Sequence, residues 1–256
     1  MKSILAKSSA YQPRLYREAM GNSRWTSFRS VFRETDLWVA IDSSHYRKEA
    51  ERFTMDRILF YRRLLEEHIK LHPEFRDSLT PVVAPGGVHP LIQEMSDAAL
   101  AAGTGPMSAV AGAMAEYICR DLLEESGADE VIIENGGDIF MKLAASATVA
   151  VFAGDSPLSE KIALQLLPGE TPLSLCCSSG TVGHSLSFGV ADACMIACHS
   201  GAMADACATA FCNKVKNQEM VSEVTEKALK VPEILSVVII AGDKVGLGGT
   251  LEFKVV

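Results

Sequence analysis

Two short small-residue segments restrict this chain more than anything else in it. Gly112-Ala113-Met114-Ala115-Glu116 is echoed by Gly201-Ala202-Met203-Ala204-Asp205, which continues as Ala206-Cys207-Ala208-Thr209-Ala210. Each reads as a helix with so little side-chain bulk that it can pack closely against a neighbour. The echo is short and uses common residue types, so on its own it does not establish duplication. In the second segment Asp205 and Thr209 are four apart. On a helix this stacks a carboxylate and a hydroxyl on one face, one turn apart. Two hard oxygens so placed can serve a small divalent cation. The segment closes a longer run that opens at Cys176 as a serine- and glycine-rich loop carrying His184.

A chain of 256 residues, 48% hydrophobic and 22% charged, can build one large packed domain or two small ones. Its formal net charge of -8 disfavours a nucleic-acid partner. The start, MKSILAKSSAYQPR, has no long apolar core and does not read as a signal peptide. Nothing reads as a transmembrane span, so the expectation is a cytoplasmic protein without a membrane partner. Seven cysteines, six of them between Cys176 and Cys212, then read as reduced, buried thiols. Cys194, Cys198 and His199 contain no CxxC pair and fit no common zinc spacing.

Periodicity and turn residues predict one α+β unit across residues 1–256, with two similar halves sharing sheets as the further option. Residues 24–41 read as two strands around a turn at Glu34-Thr35-Asp36. Asp42, Ser43 and Ser44 are expected to cap the next helix, which should end near His72, before Pro73. Helical segments follow from about Leu91, break at Gly103-Thr104-Gly105-Pro106 and resume to Glu125, with Gly127 as the stop. A strand over 130–134 turns at Asn135-Gly136-Gly137-Asp138 and returns over 139–143. Residues 148–152, 184–188 and 191–197 read as strands, and Ser159 onwards as a short helix. A last helix from about Ser222 leads to a closing hairpin of 235–241 and 249–255, with Gly246-Leu247-Gly248-Gly249 as a turn.

Three places offer chemistry. The glycines of Asn135-Gly136-Gly137-Asp138 permit positive φ and close backbone approach, so N–H groups there can hold a phosphate; an Asn-Gly pair equally makes a plain hairpin. The stretch from Ser178 through Ser179, Gly180 and Thr181 to His184 offers hydroxyls, backbone donors and an imidazole that titrates near neutrality. His184 is a candidate general base, with a structural histidine as the alternative. No G-x-S-x-G elbow surrounds these serines. The stretch from Gly103 to Ser108 precedes a helix, whose first N–H groups favour anions, but it lacks the lysine of a P-loop. Arg14, Arg17, Arg24, Arg29 and Arg33 read as a solvated strand face, given the nearby acids.

Taken together, these places resemble the ApbE-like superfamily, typified by FAD:protein FMN transferases. The resemblance rests on Asn135-Gly136-Gly137-Asp138-Ile139, on the segment from Ala204 to Ala210, and on the glycine-containing helix start from Ser108 to Gly112, in order across 103–215. It is strongest to a cytoplasmic, functionally uncharacterised branch, whose GPM-S-A-V-A-G-A and S-G-T-x-G-H-S-L-S-F-G-x-A-D-A patterns stand here at 105–113 and 179–193. It implies an α+β fold in a T-fold-like duplicated arrangement, with antiparallel sheets covered by helices and the two small-residue helices adjacent. In the transferases, magnesium bridges the FAD pyrophosphate and is held by an Asp, a Thr one turn later and a backbone carbonyl at the other helix start. Carried over, these are Asp205, Thr209 and the carbonyl near Ser108. The implied cofactor-binding positions are Asn135, Gly136, Gly137, Asp138, Ser179, Gly180, Thr181 and Gly105. His184 falls near the family histidine suggested as base.

Several family groups are missing. The acidic flavin contact falls at Gly105, the lysine at Ala111, and the D-P-x-T-G continuation after the histidine is Ser187-Phe188-Gly189. The resemblance thus implies a Mg²⁺-dependent protein that binds a small phosphorylated ligand, FAD or a related flavin nucleotide, and transfers FMN to an acceptor protein or cleaves a pyrophosphate. The rival reading is a non-catalytic ligand-binding or assembly module that keeps the scaffold.

Overall fold

The computed structural model describes residues 24–181 and 188–256. β1 (Trp25–Phe32) and β2 (Thr35–Asp42) form the expected first hairpin, but it turns at Arg33-Glu34, one position early, with Arg33 at positive φ. α1 (Glu49–Leu71) then runs to His72, where Pro73 ends it. Asp42 does not cap this helix. Its Oδ1 accepts from the His45 N–H at 3.1 Å and the Ser44 hydroxyl at 2.6 Å, so the carboxylate closes a turn of its own and leaves Lys48 at the N-cap.

After the short α2 (Glu74–Asp77) come α3 (Pro90–Ala102), a 3₁₀ turn at Pro106–Ala109 and α4 (Val110–Ser126), which stops at left-handed Gly127. β3 (Val131–Asn135) and β4 (Asp138–Lys142) pair across the Asn-Gly-Gly-Asp turn, where Gly136 and Gly137 both take positive φ. β5 (Ala147–Ala150), β6 (Ile162–Leu166), β7 (Leu173–Ser178) and β8 (Ala193–Cys198) follow. The chain ends through α5 (Gly201–Lys214), α6 (Val221–Ala228), β9 (Ser236–Ala241), β10 (Lys244–Gly249) and β11 (Glu252–Val255).

Eight strands make one antiparallel sheet in the order β1-β2-β3-β4-β7-β8-β9-β10. Each half of it is built as two strands, helices, then two strands. All helices lie on one face, where Leu37, Val39, Ile41, Val131 and Ile133 meet α1, α3 and α4, while Ile196, Val237 and Ile239 meet α5 and α6. The opposite face, with Trp38, Ala40, Ile132, Met141 and Val238, is covered by a three-stranded sheet, β11-β6-β5, rather than by helices. Burial on both faces explains why β2, β3, β8 and β9 read as nearly unbroken apolar runs instead of alternating. No single helix among the described residues is long and apolar enough to cross a membrane.

Three further expectations are corrected. Ser159 does not start a helix: Glu160 takes positive φ, and Ile162–Leu166 becomes β6 by pairing with β5 and β11, partners distant in sequence. Gly246 to Gly249 is not a turn but part of β10; the hairpin turns at Gly242-Asp243, and the missing side chains at Gly246 and Gly248 leave room for Thr225 and Leu229. β11 consequently leaves that hairpin and joins the small sheet. Cys176, Cys177 and Ser178 belong to β7, not to a loop. The expected strand at 184–188 lies largely outside the described residues.

Candidate functional site

The site begins where α4 crosses α5. A Cβ on Gly112 would stand 2.2 Å from the Gly201 carbonyl oxygen, and one on Gly201 would stand 2.3 Å from that of Gly112. Only glycine lets the two backbones come this close. The echoed acids are exchanged across the crossing. Asp205 Oδ2 accepts from the Ala111 N–H at 3.0 Å and the Gly112 N–H at 2.9 Å, at the first turn of α4. Glu116 Oε2 accepts from the Gly201 N–H at 2.6 Å, at the first turn of α5. Each carboxylate thus satisfies donors that a helix start leaves open.

The two acids then differ in a way that matters. Glu116 also binds Arg120, with Nε and Nη2 2.8 and 2.7 Å from its Oε1. Asp205 has no basic partner among the described residues; its contacts are backbone N–H groups. A second buried acid lies near it. Asp138, at the end of the Asn-Gly-Gly-Asp turn, accepts from the Cys177 N–H at 3.1 Å and likewise has no basic partner among the described residues. Burial pushes the carboxyl of Asp205 from the ordinary 3.8 up to about 7, against the pull of the Gly112 and Ala111 N–H groups. Burial, then the nearby Asp205 charge, push Asp138 up as well. Buried charge of one sign without a counter-charge is unfavourable, and a cation bound at Asp205 would relieve it.

Thr209 follows Asp205 by one turn of α5 and is half-buried. The Ser108 hydroxyl lies 2.7 Å from that of Thr104, at the start of the other helix. Asn135 donates from Nδ2 to the Ala111 carbonyl at 3.1 Å, tying the β3–β4 turn to the helix start that Asp205 binds. Among the described residues no group of three or more His, Cys, Asp or Glu is placed to hold a metal. A cation here would therefore depend on the Asp205 carboxylate, the Thr209 hydroxyl, a carbonyl near Ser108 and oxygens of the ligand itself. That donor set suits a hard ion such as Mg²⁺.

The remaining sequence candidates divide. Asn135, Gly136, Gly137 and Asp138 come together with Asp205 through Ala111 and the paired acids. Gly105 is buried against the backbone of Ser78, where a Cβ would stand 1.9 Å from the carbonyl oxygen, so packing accounts for this glycine. Ser179, Gly180 and Thr181 follow β7, where Thr181 donates to Asp192 at 2.8 Å and Gly180 N–H to Ala191 at 2.9 Å. Phe188 N–H donates to Asn213 Oδ1 at 2.6 Å, beside the end of α5. His184, the candidate base, lies outside the described residues. Glu116 and a cleft beside Asn135 were not among the sequence candidates. The echo itself was the signal for Glu116. The cleft, of about 760 Å³, depends on how α1 meets α4.

The raised Asp205 carboxyl predicts an unusual pH response. Between about pH 4 and 7 the native metal-free protein keeps a proton that the unfolded chain has released. Stability should then fall as pH rises across that window, by on the order of 4 kcal/mol. Denaturation in EDTA at several pH values measures this, and Asp205→Asn should flatten the trend. Stability that climbs steadily from pH 4 to 7 would contradict the assignment.

Comparison with known proteins agrees with this architecture. A family model described as AbpE bacteria matches residues 17–232. A UPF0280 protein of Methanocaldococcus jannaschii is 34% identical over 232 residues, covering 89% of this chain and 92% of its own. A UPF0280 protein of Methanopyrus kandleri is 34% identical over 230 residues, covering 87% and 90%. Among solved structures, the ApbE protein of Thermotoga maritima superposes with a TM-score of 0.53 at 12% identity, covering 87% of this chain and 96% of its own; that likeness is one of fold.

Proposed function

This chain belongs to the family described as AbpE bacteria, and from that premise we propose that it is a cytoplasmic, Mg²⁺-dependent protein that binds a flavin nucleotide at the α4–α5 crossing. We read residues 1–256 as one domain whose two similar halves meet there. The observation that carries the reading is the pair of buried acids, Asp205 and Asp138, which have no basic partner among the described residues where Glu116 has Arg120. The sequence resemblance to the FAD:protein FMN transferases supports the flavin.

In this reading Asp205, Thr209 and the carbonyl near Ser108 would hold Mg²⁺, which would neutralise phosphate charge and favour attack at phosphorus. Asp205 is oriented by the Ala111 and Gly112 N–H groups, and Asn135 fixes the β3–β4 turn beside them. His184 is proposed to take the proton of the attacking hydroxyl, from an acceptor protein or from water, so that FMN is transferred or the pyrophosphate is cleaved.

Incubation with FAD and Mg²⁺, followed by mass spectrometry, tests this. AMP should be released, with FMN on an acceptor or free, and His184→Ala should slow the release about 10²- to 10⁴-fold while leaving Mg²⁺ affinity intact. No turnover, together with no FAD-dependent rise in melting temperature, would rule out the flavin. The second reading, a non-catalytic binding module, is favoured by the packed Gly105 and the methyl group at Ala111, neither of which can grip a cofactor as a charged side chain would. Binding of FAD with Mg²⁺ but no AMP under any acceptor would select it.

A further inference from the structure

The end of α1 forms one wall of the cleft beside Asn135. Leu65, Ile69 and Lys70 line the cleft from α1, and Pro73 and Arg76 continue the wall into α2. On its buried side α1 presents Ile58, Tyr61, Leu65 and His68 at steps of three and four, so a histidine ends the stripe that seats the helix. Upstream, Arg62 fixes α1 to the β1–β2 turn, donating to Thr35 at 3.0 Å and to Glu34 at 2.7 Å. Further along, the pair between Glu66 and Arg33 is exposed and weak, so packing holds the rest of the wall. α2 has four residues, and Phe75 is the buried one.

Phe75 rests on His68, their rings meeting edge to face at 4.7 Å, and the His72 ring lies 4.8 Å from that of His68. His68 is 7% exposed, and its Nε2 is buried with no hydrogen-bond partner among the described residues. A protonated imidazole carries N–H at both nitrogens, so it would bury a charged donor without an acceptor. The charged groups facing it are His72 on α1 and Glu74 on α2. Glu74 is exposed and already lies 3.4 Å from His72 Nδ1. Burial first, then His72, push the His68 imidazole below its ordinary 6.5, against the pull of Glu74.

We infer that this wall of the cleft is released by acid: neutral His68 seats the end of α1 and α2, and protonated His68 leaves its place and takes Phe75 with it. The closed wall holds fewer protons than the open one. The seat is therefore complete above about pH 6.5 and is lost as pH falls below it. Arg62 marks the hinge, because its bonds to the β1–β2 turn do not involve His68. On release Pro73 and Arg76 leave the cleft, while Asn135 and Ala111 keep their places on the body. Asp205 contributes with the opposite sign over the same range, so the release shows in a local readout and not in the melt of the whole chain. None of this depends on the function proposed above.

Hydrogen exchange read by mass spectrometry on the full chain tests this, at about pH 7.5 and about pH 5, with exchange times scaled for the intrinsic rate. Peptides covering 64–77 should lose about tenfold or more in protection at the lower pH, while those from β8 and β9 keep theirs. His68→Leu, uncharged and of similar volume, should melt no lower than the wild type at about pH 7.5 and should keep the same peptides closed at both pH values. In the wild type, the His68 ring followed by NMR should titrate below about 6.5. Release that persists in His68→Leu would assign it to carboxylates such as Glu74 and Asp77, and overturns the inference. Equal protection of 64–77 at both pH values in the wild type, loss spread evenly over the sheet, or a His68 titration at or above about 6.5 overturns it too. These last three readouts need only the wild type, so they stand even where the variant fails to fold.

Discussion

Gly112→Ala should lower the melting temperature by about 6–12 °C, the equivalent of about 3 kcal/mol for an overpacked core in a chain of this size. The added methyl would stand 2.2 Å from a backbone oxygen and 2.9 Å from Asp205 Cβ, so no side-chain rotation can relieve it and α4 must move off α5. That movement also pulls Asp205 from the Ala111 and Gly112 N–H groups. Gly86→Ala is the matched control, because nothing lies within 4 Å of its added Cβ, and it should change stability by less than about 0.5 kcal/mol. Thermal melts of both variants check the pair. A Gly112 variant as stable as the control would mean that the helices are not in backbone contact.

Asp205→Asn should separate function from stability. Asparagine keeps an acceptor for the two N–H groups and removes the buried charge, so above pH 7 the metal-free variant should melt no lower than the wild type, and higher if the charge is strained. It should at the same time lose its response to Mg²⁺ with FAD. At a hundredfold excess over Kd, that response in the wild type should be about 2.7 kcal/mol, a rise of about 5–11 °C. Melts of both proteins with EDTA, with Mg²⁺, and with Mg²⁺ plus FAD give the comparison. An equal rise in both proteins would remove Asp205 from the site.

The elements legible in the sequence were those set by local signals. Gly127 stops α4 and Asn135-Gly136-Gly137-Asp138 turns β3 into β4 because the backbone conformation is decided within a few residues. Asp205 and Thr209 could be placed together because helical spacing alone does it. What escaped depends on partners far away in the chain. Ile162–Leu166 is a strand only because β5 and β11 flank it, and β10 tolerates its glycines because α6 fills the space above them. Glu116 stood in plain view within the echo, yet its role appears only once Gly112 and Gly201 are in contact. Asp138 was placed in the site only by the family resemblance; its place beside Asp205 requires β4 to lie beside β7. Arg62 and the cleft follow from the packing of α1 on α4, which no spacing rule encodes.

The central claim, that Asp205, which has no basic partner among the described residues, takes a divalent cation together with a phosphorylated ligand, is tested most directly by locating the ion. Crystals grown with FAD and Mn²⁺, with data collected at the manganese edge, should show an anomalous peak within about 2.2 Å of an Asp205 carboxylate oxygen and of the Thr209 hydroxyl, bridging to the pyrophosphate. FAD bound with the ion held by other side chains, or with no ion at Asp205, would contradict it.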